Sequence, residues 1–553
     1  MTRPDDNRSA ATGQAARAVH EAVEASDYQR AAMLADAALS RGLVHPFFYI
    51  AGALWLERQG RDSDALALFM KARNLAPGDT TLLNAIGLCL IRLHRLDEAL
   101  QAFRDAVRAE PGAAISHQRK AMVLGMTGRL DESEHAYEQA LRLDPHNVET
   151  LASLASIASR KGDADRAREM AARAITLDPR NTAAHVALAT IEISNGQFAA
   201  AEHHLRPVAH DPQISARDRG VIFALMGDAL DGEGQYREAF EAYAAGNAER
   251  QRLHGQRFQR MPNAIARLDN LIAAFDESPD ERWHVADKAN AGGNGETRHV
   301  FLLGFPRSGT TLLEQALERH PDIVTLDEQD LLSDMAERFL GSRDALDRLS
   351  LLDENSLAIH RHTYWQRVRD FGIELPHKVF VDKQPFNTIK LPLIARLFPA
   401  AKVLFAVRDP RGVVFSCFRR QLDIDLLTFE FLTLEGTARI YDRFMRMGEL
   451  CRSKLALAFF DCRYEELVAD FDTATRAVCR FLGVEWDPSM RDFASASRSV
   501  RPHMASAQQL RRGLYREGVD HWYKYEVELK SVIPLLRPWI ARFGYSPVQP
   551  SQG

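Results

Sequence analysis

Cysteine is scarce in this sequence, and long apolar runs are missing. The chain has 553 residues but only 5 cysteines, an odd number without a CxxC pair. This argues against a disulfide framework and against a zinc site. No uninterrupted apolar run reaches the roughly 18 residues of a membrane-spanning helix, and the first residues lack the apolar core of a signal peptide. We therefore predict a cytoplasmic protein with reduced cysteines and no membrane partner.

A strong charge of one sign is missing as well. The formal net charge is -5, and acidic and basic residues are mixed along the chain. This pattern excludes a broad nucleic-acid-binding face, so any anion site must be local. With 46% hydrophobic residues, the chain is long enough to bury the cores of two or three domains.

Prolines recur with a fixed period in the first half of the chain. Four are spaced by 34 residues and a fifth follows at 33, namely Pro77, Pro111, Pro145, Pro179 and Pro212. A 34-residue period is the signature of a tetratricopeptide array, in which proline ends the second helix of each repeat. The chain resembles tetratricopeptide proteins over roughly residues 15–250.

Small residues and glycines keep the same phase. Turn glycines occur at Gly60, Gly128, Gly162 and Gly196, with His94 where another would fall. The small position of the second helix is held by Ala65, Ala99, Ala167 and Ala201, with Ser133 as the exception. The large position is filled by Phe69, Phe103 and Tyr137. Small residues let helices approach closely, and the aromatic ring fills the remaining gap.

The function of the array stays open at this point. It offers a concave surface for a peptide or protein partner, or it acts as a spacer or a homodimer contact. Residues 1–14 are predicted to be a disordered N-terminus. Residues 251–298 are predicted to be a helical connection followed by a polar, Gly/Asn-rich linker.

The rhythm changes in residues 299–546, where short apolar runs alternate with helical patterns. Such runs begin at residues 300, 378, 402 and 455. Strand, loop and helix in alternation predict a parallel sheet with helices on both faces. Ligands of such sheets bind at the carboxyl ends of the strands. Residues 547–553 are predicted to be a disordered tail.

The segment GFPRSGTT at residues 304–311 joins the first of these strands to a helix. Its two glycines have the spacing of a nucleotide-triphosphate loop, but Thr310 stands where that loop has lysine. A backbone nest at a helix N-terminus favours an anion, and Arg307 adds a charge that can make two hydrogen bonds. The loop therefore suits a single phosphate better than a triphosphate with magnesium.

A second candidate anion site lies in KVLFAVRDPRGVVFSCFRR at residues 402–420. A buried strand ends at Arg408, Asp409 and Pro410 turn the chain, and the next helix carries Ser416. Alone, Arg408 and Asp409 would be read as a structural ion pair. Together with the first loop, they indicate a ligand with two separated phosphate groups.

These segments resemble the 5′- and 3′-phosphate motifs of sulfotransferases that use 3′-phosphoadenosine 5′-phosphosulfate (PAPS). The pattern is that of the branch with tyrosylprotein sulfotransferases and bacterial proteins in which tetratricopeptides precede the enzyme domain. Residues 320–329, 382–387 and 463–468 support the same branch. The resemblance implies a P-loop-like α/β fold, PAPS as sulfuryl donor and no metal.

The resemblance also implies roles for individual residues. The 5′-phosphosulfate would be held by Arg307, Ser308, Gly309, Thr310 and Thr311. The 3′-phosphate would be held by Arg408 and Ser416, with Tyr464 beside the nucleotide. Glu328 matches a general base, and Lys383 matches a lysine near the bridging oxygen, so both are predicted to be catalytic, with Arg307. The alternative for Glu328 and its neighbour Asp327 is a pair of surface acids.

The acceptor is not determined by this pattern. A hydroxyl or an amine, on a peptide tyrosine, a carbohydrate or a small molecule, would suit the chemistry. Trp365, Arg419 and Arg420 are candidates for an acceptor path, and Ser497, Arg501, Arg512 and Lys524 for further phosphate contacts. The alternative function is a tetratricopeptide scaffold with a non-catalytic nucleotide-binding domain, and a kinase is disfavoured by Thr310.

Overall fold

The computed structural model describes residues 4–283, 298–375, 377–493 and 518–546. The chain divides into two units, Met1–Asn195 and Gly196–Gly553. The first unit consists of helices, as the repeat period predicts. The second combines helices with a five-stranded parallel sheet, so the predicted fold class of a helical array followed by an α/β domain is confirmed.

The helices of the first unit form antiparallel pairs in chain order. Their bounds are α1 Pro4–Glu24, α2 Tyr28–Ser40, α3 Pro46–Arg58, α4 Asp62–Leu75, α5 Thr80–Arg92, α6 Leu96–Ala109, α7 Ala114–Met126, α8 Leu130–Leu143, α9 Val148–Lys161, α10 Ala164–Leu177 and α11 Thr182–Ser194. Helix α1 covers most of the stretch 1–14 that the sequence predicts to be disordered. Its alanine-rich sequence has a high helix propensity.

The turns between paired helices have the geometry that the glycines predict. Gly60, Gly128 and Gly162 have φ of 71°, 77° and 80°. His94 occupies the corresponding turn with φ of 58°, in the left-handed region that favours glycine. The position therefore keeps its backbone conformation although its side chain departs from the pattern.

The small and large positions of the repeats lie in the core. Ala65, Ala99 and Ala167 are fully buried, as are Phe69 and Phe103. Ser133 is buried as well, and its Oγ donates a hydrogen bond of 2.7 Å to the carbonyl of Ala121. A buried hydroxyl needs such a partner, so the serine is tolerated where other repeats have alanine.

The second unit begins with four further α-helices, α12 to α15, and continues into the α/β region. Its helices are α12 Phe198–Ala209, α13 Ala216–Gly232, α14 Tyr236–Gln259, α15 Ala264–Asp276, α16 Thr310–Glu318, α17 Ser333–Phe339, α18 Arg343–Ser350, α19 Glu354–Asp370, α20 Leu391–Leu397, α21 Pro410–Arg419, α22 Leu434–Lys454, α23 Tyr464–Ala469, α24 Phe471–Leu482, α25 Glu526–Leu529 and α26 Ile533–Arg542. Short 3₁₀ helices span Asp280–Arg282, Pro385–Lys390, Thr428–Leu432, Pro488–Asp492 and His521–Tyr525.

The parallel sheet lies at the centre of the second unit. Its strands are β1 Arg298–Leu303, β2 Ile323–Asp327, β3 Val379–Lys383, β4 Lys402–Val407 and β5 Ala458–Arg463, in the order β2-β3-β1-β4-β5. Alternate residues of β1 enter different cores, Phe301 on one face and Leu302 on the other. Both faces are therefore covered, as expected for parallel strands.

One of these cores includes helices from the predicted repeat range and from the predicted connection that follows it. Tyr243 of α14 and Phe275 of α15 belong to the same buried cluster as Phe301 of β1. The repeat period predicts an array that extends to residue 250, whereas packing joins the last helices to the sheet. Helices α14 and α15 also account for the helical part of the predicted connection 251–298. Residues 284–297 and the tail 547–553 lie outside the described residues.

Two further observations concern the cysteines and the membrane prediction. The thiols of Cys89, Cys417, Cys451, Cys462 and Cys479 are all free. Among the described residues, no helix is both long and apolar enough to cross a membrane.

Candidate active site

The loop after β1 has the backbone of an anion nest. Gly304 and Gly309 have φ of 143° and 97°, and Arg307 between them has φ of 70°. A Cβ on Gly304 would lie 2.6 Å from the carbonyl oxygen of Ala406, so only glycine fits there. Thr388 braces the loop, since its Oγ1 accepts from the Gly304 amide at 3.1 Å and donates to the Gly304 carbonyl at 2.7 Å.

The loop opens directly into the N-terminus of α16. Ser308 and Gly309 precede the helix, and Thr310 and Thr311 form its first turn; both threonines are buried. Amide groups at the start of a helix lack partners within the helix and favour an anion. The structure thus gathers the five residues predicted to hold the 5′ end of the ligand.

Arg307 connects this loop to the second predicted anion site. Its Nε donates to the Oγ of Ser416 at 3.1 Å, and its carbonyl accepts from Arg408 Nη1 at 3.1 Å. Burial, followed by the neighbouring Arg420, Arg408 and Arg419, lowers the pKa of Arg307 to about 9. Several guanidinium groups at one buried place repel each other, and an anion relieves that repulsion.

Tyr464 packs beside both Arg408 and the loop. The guanidinium of Arg408 lies 4.5 Å from the centre of the Tyr464 ring, a cation–π contact. A Cβ on Gly309 would lie 2.5 Å from Cδ2 of this ring. The second glycine of the loop is therefore required for the close approach of Tyr464, in addition to its left-handed φ.

The predicted catalytic pair is in direct contact. Lys383 at the end of β3 donates from Nζ to Glu328 Oε1 at 2.8 Å and also ion-pairs with Asp327. The amide of Glu328 donates to the carbonyl of Lys383 at 2.8 Å, and Glu328 has a left-handed φ of 44°. The Lys383 side chain is fully buried, whereas that of Glu328 is 42% exposed. The lysine is thus fixed, and the glutamate is accessible to a substrate.

Lys383 keeps its charge because of the acids around it. Burial opposes that charge, but the carboxylates of Glu328, Asp327 and Glu314 outweigh burial and raise the pKa of Lys383. An opposite charge within a few ångströms favours the charged form in this way. The acids at residues 327–328 are therefore not only surface groups, because both form ion pairs with the buried Lys383.

Glu314 was not among the predicted residues. It lies on α16, is only 1% exposed and accepts a hydrogen bond of 2.7 Å from Thr325 Oγ1 and one of 3.1 Å from Gln315 Nε2. Burial raises the pKa of Glu314 to about 7, Asp327 adds to the rise, and Lys383 opposes it. In the sequence this glutamate is one polar residue in a helical pattern, and no signal marks its burial.

Strand order aligns these groups along one edge of the sheet. Asp327 at the end of β2 is in register with Lys383 of β3, which is in register with Leu302 of β1. Strand β4, which precedes Arg408, pairs with β1 on its other side. Because neighbouring strands are about 4.8 Å apart, the edge presents a carboxylate, a lysine, the anion loop and an arginine in succession.

Comparison with protein-family models finds matches in both parts of the chain. The family model described as "Sulfotransferase family" covers residues 299–488. This segment thus matches the sulfotransferase family. Upstream, the models "Psidin, N-terminal TPR repeats region" and two named "Tetratricopeptide repeat" cover residues 14–119, 119–182 and 158–217. The predicted combination of a tetratricopeptide array and a sulfotransferase domain is confirmed.

Curated relatives share low sequence identity with the chain. An uncharacterized protein of Aquifex aeolicus is 26% identical over 262 residues, which cover 46% of this chain and 34% of that protein. Protein-tyrosine sulfotransferase 1 of Danio rerio is 24% identical over 264 residues, 45% of this chain and 72% of the relative. The human protein-tyrosine sulfotransferase 1 is 26% identical, with 45% and 70% covered. The chain thus spans about a third of the Aquifex protein.

Solved structures were matched at low TM-scores. The sulfotransferase domain of the Synechococcus PCC 7002 olefin synthase aligns at a TM-score of 0.34 and 22% identity, over 48% of this chain and all of that domain. A tetratricopeptide repeat protein from Parabacteroides merdae aligns at 0.36 and 15% identity, over 43% of this chain and 93% of its own. The fold assignment therefore rests on the sheet order and the helix pairs.

Several weaker predictions about the sulfotransferase domain have different outcomes. Trp365 is buried in an aromatic core, 4.8 Å from the ring of His299, so it cannot line an acceptor path. The charge of Lys524 lies 5.0 Å from the centre of the Tyr236 ring. Ser497, Arg501 and Arg512 lie outside the described residues. Arg419 and Arg420 are paired with aspartates of α13.

One group of potential metal ligands occurs in the first unit. Ligand atoms of Glu57, Asp62 and Cys89 lie within 4.8 Å of one another. Arg92 ion-pairs with both carboxylates, at 2.7 Å for Asp62, and burial raises the pKa of Cys89 to about 11. A guanidinium already balances the acids, so we interpret this group as a link between successive helices.

Proposed function

We propose that the protein is a sulfotransferase that moves the sulfuryl group of PAPS to a hydroxyl, or an amine, of an acceptor. The observation that carries the proposal is the order of groups along the sheet edge: Glu328, Lys383, the loop with Arg307, and Arg408 with Ser416. This order provides a base, a cation and two anion sites in one row. The match of residues 299–488 to the sulfotransferase family supports it.

The residues fit the donor nucleotide. Gly309, at the start of α16, lets the Tyr464 ring approach the loop, where a Cβ would collide with that ring. Arg307 and Arg408 lie close enough for the Arg307 carbonyl to accept a hydrogen bond from Arg408 Nη1 at 3.1 Å. The loop residues 307–311 would hold the 5′-phosphosulfate, and Arg408 with Ser416 the 3′-phosphate. When bound, the donor would supply the sulfuryl group, and we invoke no metal.

Lys383 and Glu328 would carry the chemistry of the chain itself. Lys383 Nζ is fixed beside the loop and would stabilise negative charge on the leaving phosphate oxygen. Glu328 would take the proton of the acceptor hydroxyl through a carboxylate oxygen as the acceptor attacks sulfur. Lys383 Nζ donates to Glu328 Oε1 at 2.8 Å, so the proposed cation and the proposed base are adjacent.

A protein tyrosine is the acceptor that the curated relatives suggest. Two of those relatives are named protein-tyrosine sulfotransferases, and tetratricopeptide arrays can hold peptides in extended grooves. We therefore propose a peptide or protein substrate presented by the repeats, with carbohydrates and small hydroxylated molecules as the alternatives in an acceptor screen. A second copy of the chain remains an alternative occupant of the repeats.

Nucleotide titration tests the donor site first. We expect adenosine 3′,5′-bisphosphate to bind more tightly than 5′-AMP or Mg-ATP in calorimetry. Arg408→Ala should abolish the preference, and Ser416→Ala should weaken bisphosphate binding about tenfold, because a charge-assisted hydrogen bond is lost. Ser453→Ala is the matched control, since this serine on α22 is exposed and bonds only to the Leu450 carbonyl at 2.9 Å. Tighter binding of Mg-ATP would contradict the proposal.

Turnover separates the enzyme from a non-catalytic scaffold. We expect label from PAPS to reach a tyrosine-containing peptide with the natural chain. Glu328→Gln should lower kcat by about 100-fold or more at unchanged bisphosphate affinity, because a general base is removed. Glu337→Gln, an exposed glutamate on the nearby α17, is the control. Bisphosphate binding without any transfer across peptide, carbohydrate and small-molecule acceptors would favour the scaffold.

A further inference from the structure

Asp231 lies at a junction between α13 and the sulfotransferase domain. Its Oδ1 accepts hydrogen bonds from Tyr525 Oη at 2.5 Å and from His521 Nε2 at 2.8 Å. Its Oδ2 accepts from Arg419 Nη1 at 3.4 Å. The aspartate side chain is only 14% exposed, so it is a largely buried charge with three partners.

Asp228 forms a second junction one helical turn earlier. Its Oδ2 accepts from Arg420 Nη1 at 3.0 Å, and its Oδ1 accepts from Tyr243 Oη at 2.8 Å. Spacing of three residues places Asp228 and Asp231 on the same face of α13. Consecutive arginines at the end of α21 thus meet consecutive turns of α13.

Backbone contacts hold the same interface together. Asn247 of α14 is buried, and its Nδ2 donates to the carbonyl of Phe418 at 2.8 Å. Gln421 donates from Nε2 to the carbonyl of Gly220 at 2.7 Å. The rings of Phe240 and Phe418 stack with their centres 5.2 Å apart. The carboxyl end of α21 is therefore tied to both α13 and α14.

Two segments of the chain connect these contacts to the predicted 3′-phosphate site. Helix α21 carries Ser416, one turn before Arg419. The 3₁₀ helix that contains His521 and Tyr525 follows Gly518, whose carbonyl accepts a hydrogen bond from Arg408 Nη2. Asp231 thus contacts both chain segments that adjoin the anion-binding side chains.

We propose that Asp231, assisted by Asp228, is a positioning residue for the 3′-phosphate end of the donor nucleotide. Asp231 holds α21 and the segment 518–525 in the arrangement that aligns Ser416 and Arg408. Helix α13, near the end of the predicted repeat range, thereby contributes to the geometry of the nucleotide site. This inference rests on the proposed function, because it assumes that a 3′-phosphate binds at Arg408 and Ser416.

The test compares two probes that differ only in the 3′-phosphate. Dissociation constants of adenosine 3′,5′-bisphosphate and 5′-AMP are measured for the full chain by calorimetry, by displacement where direct heats are small. Asp231→Asn keeps the shape of the side chain but removes its negative charge. It also places an amide NH₂ group opposite side chains that are themselves hydrogen-bond donors. We expect about a tenfold loss of bisphosphate affinity and less than about a threefold change for 5′-AMP.

The matched control is Glu241→Gln on α14. Glu241 makes an exposed i,i+4 ion pair with Arg237 at 3.2 Å and takes part in none of the hydrogen bonds above, so both affinities should stay unchanged. Asp228→Asn should reduce the bisphosphate preference about threefold, since Tyr243 can still donate to the amide oxygen. If Asp231→Asn does not unfold cooperatively, Asp228→Asn decides the question by the same criterion.

The outcomes separate the two proposals. A natural chain without preference for the bisphosphate refutes the donor assignment itself. A natural preference that Asp231→Asn leaves intact overturns the positioning role alone. An equal loss for both nucleotides also overturns it, because a general structural defect would not single out the 3′-phosphate. A selective loss of bisphosphate binding supports it.

Discussion

Glu314 should make the stability of the sheet unit depend on pH. Burial raises the pKa of this carboxyl from its ordinary 4.5 to about 7. Between these values the folded chain holds a proton that the unfolded chain has released. The contribution to stability is therefore complete below pH 4.5 and is lost as pH rises through about 7. A shift of about 2.5 units corresponds to about 3 kcal/mol.

Glu314→Gln removes this dependence while it keeps the shape of the side chain. The amide oxygen can still accept from Thr325, and the amide nitrogen can face Gln315, whose Oε1 has no partner among the described residues. Relative to the natural chain, the variant should gain about 3 kcal/mol between pH 4.5 and pH 8. It should thus be the more stable protein at neutral pH.

Urea unfolding at several pH values measures the difference. Five of the six tryptophans lie in the second unit, so their fluorescence follows the sheet rather than the first unit. Asp382, whose pKa burial also raises to about 7, is present in both proteins and cancels in the comparison. Glu337→Gln is the control for loss of a surface charge. A difference that is independent of pH would refute the buried, protonated state of Glu314.

Three other changes test the backbone and the boundary between the units. Gly309→Ala should destabilise the sheet unit by about 1–3 kcal/mol in urea unfolding and weaken bisphosphate binding, because the new Cβ meets Tyr464 at a left-handed φ; unchanged binding would contradict the described loop. His94→Gly should stabilise the first unit by about 1 kcal/mol in thermal unfolding followed by circular dichroism, since the left-handed strain is relieved; a lower Tm would count against it. A fragment of residues 196–553 should unfold cooperatively, because it keeps α13 to α15, which complete the core. A fragment of residues 299–553 should not unfold cooperatively, and cooperative unfolding of this shorter fragment would disprove the prediction.

The repeats could be predicted from the sequence because each of their requirements is local. A turn needs a left-handed residue, a helix contact needs a small one, and a helix end tolerates proline, so one period marks all three. His94 shows the limit of such a pattern, because its backbone conformation follows the repeat although its residue type does not. The end of the array was harder to place, since helices that follow the period also belong to the core of the sheet.

The residues of the site could be predicted individually, but most of their contacts could not. Arg307 and Ser416 are 109 positions apart, and only the fold brings the guanidinium to the hydroxyl. Lys383 and Glu328 are separated by 55 positions and meet because β2 and β3 are neighbours. Asp231 had no motif around it. Only packing brings this aspartate, near the end of α13, into contact with Arg419 of α21 and with His521 and Tyr525.

The anion loop at residues 304–311 has no lysine, and the lysine of the site comes from another strand. Thr310 fills the position in which a nucleotide-triphosphate loop has lysine, and Lys383 enters from β3, in register with Leu302 of β1. A lysine at the end of a buried strand is held by the sheet and by its ion pairs with Asp327 and Glu328, so its position is set before any ligand binds. Fixed charge of this kind needs little reorganisation during group transfer, and strand order places it between the anion loop and Glu328.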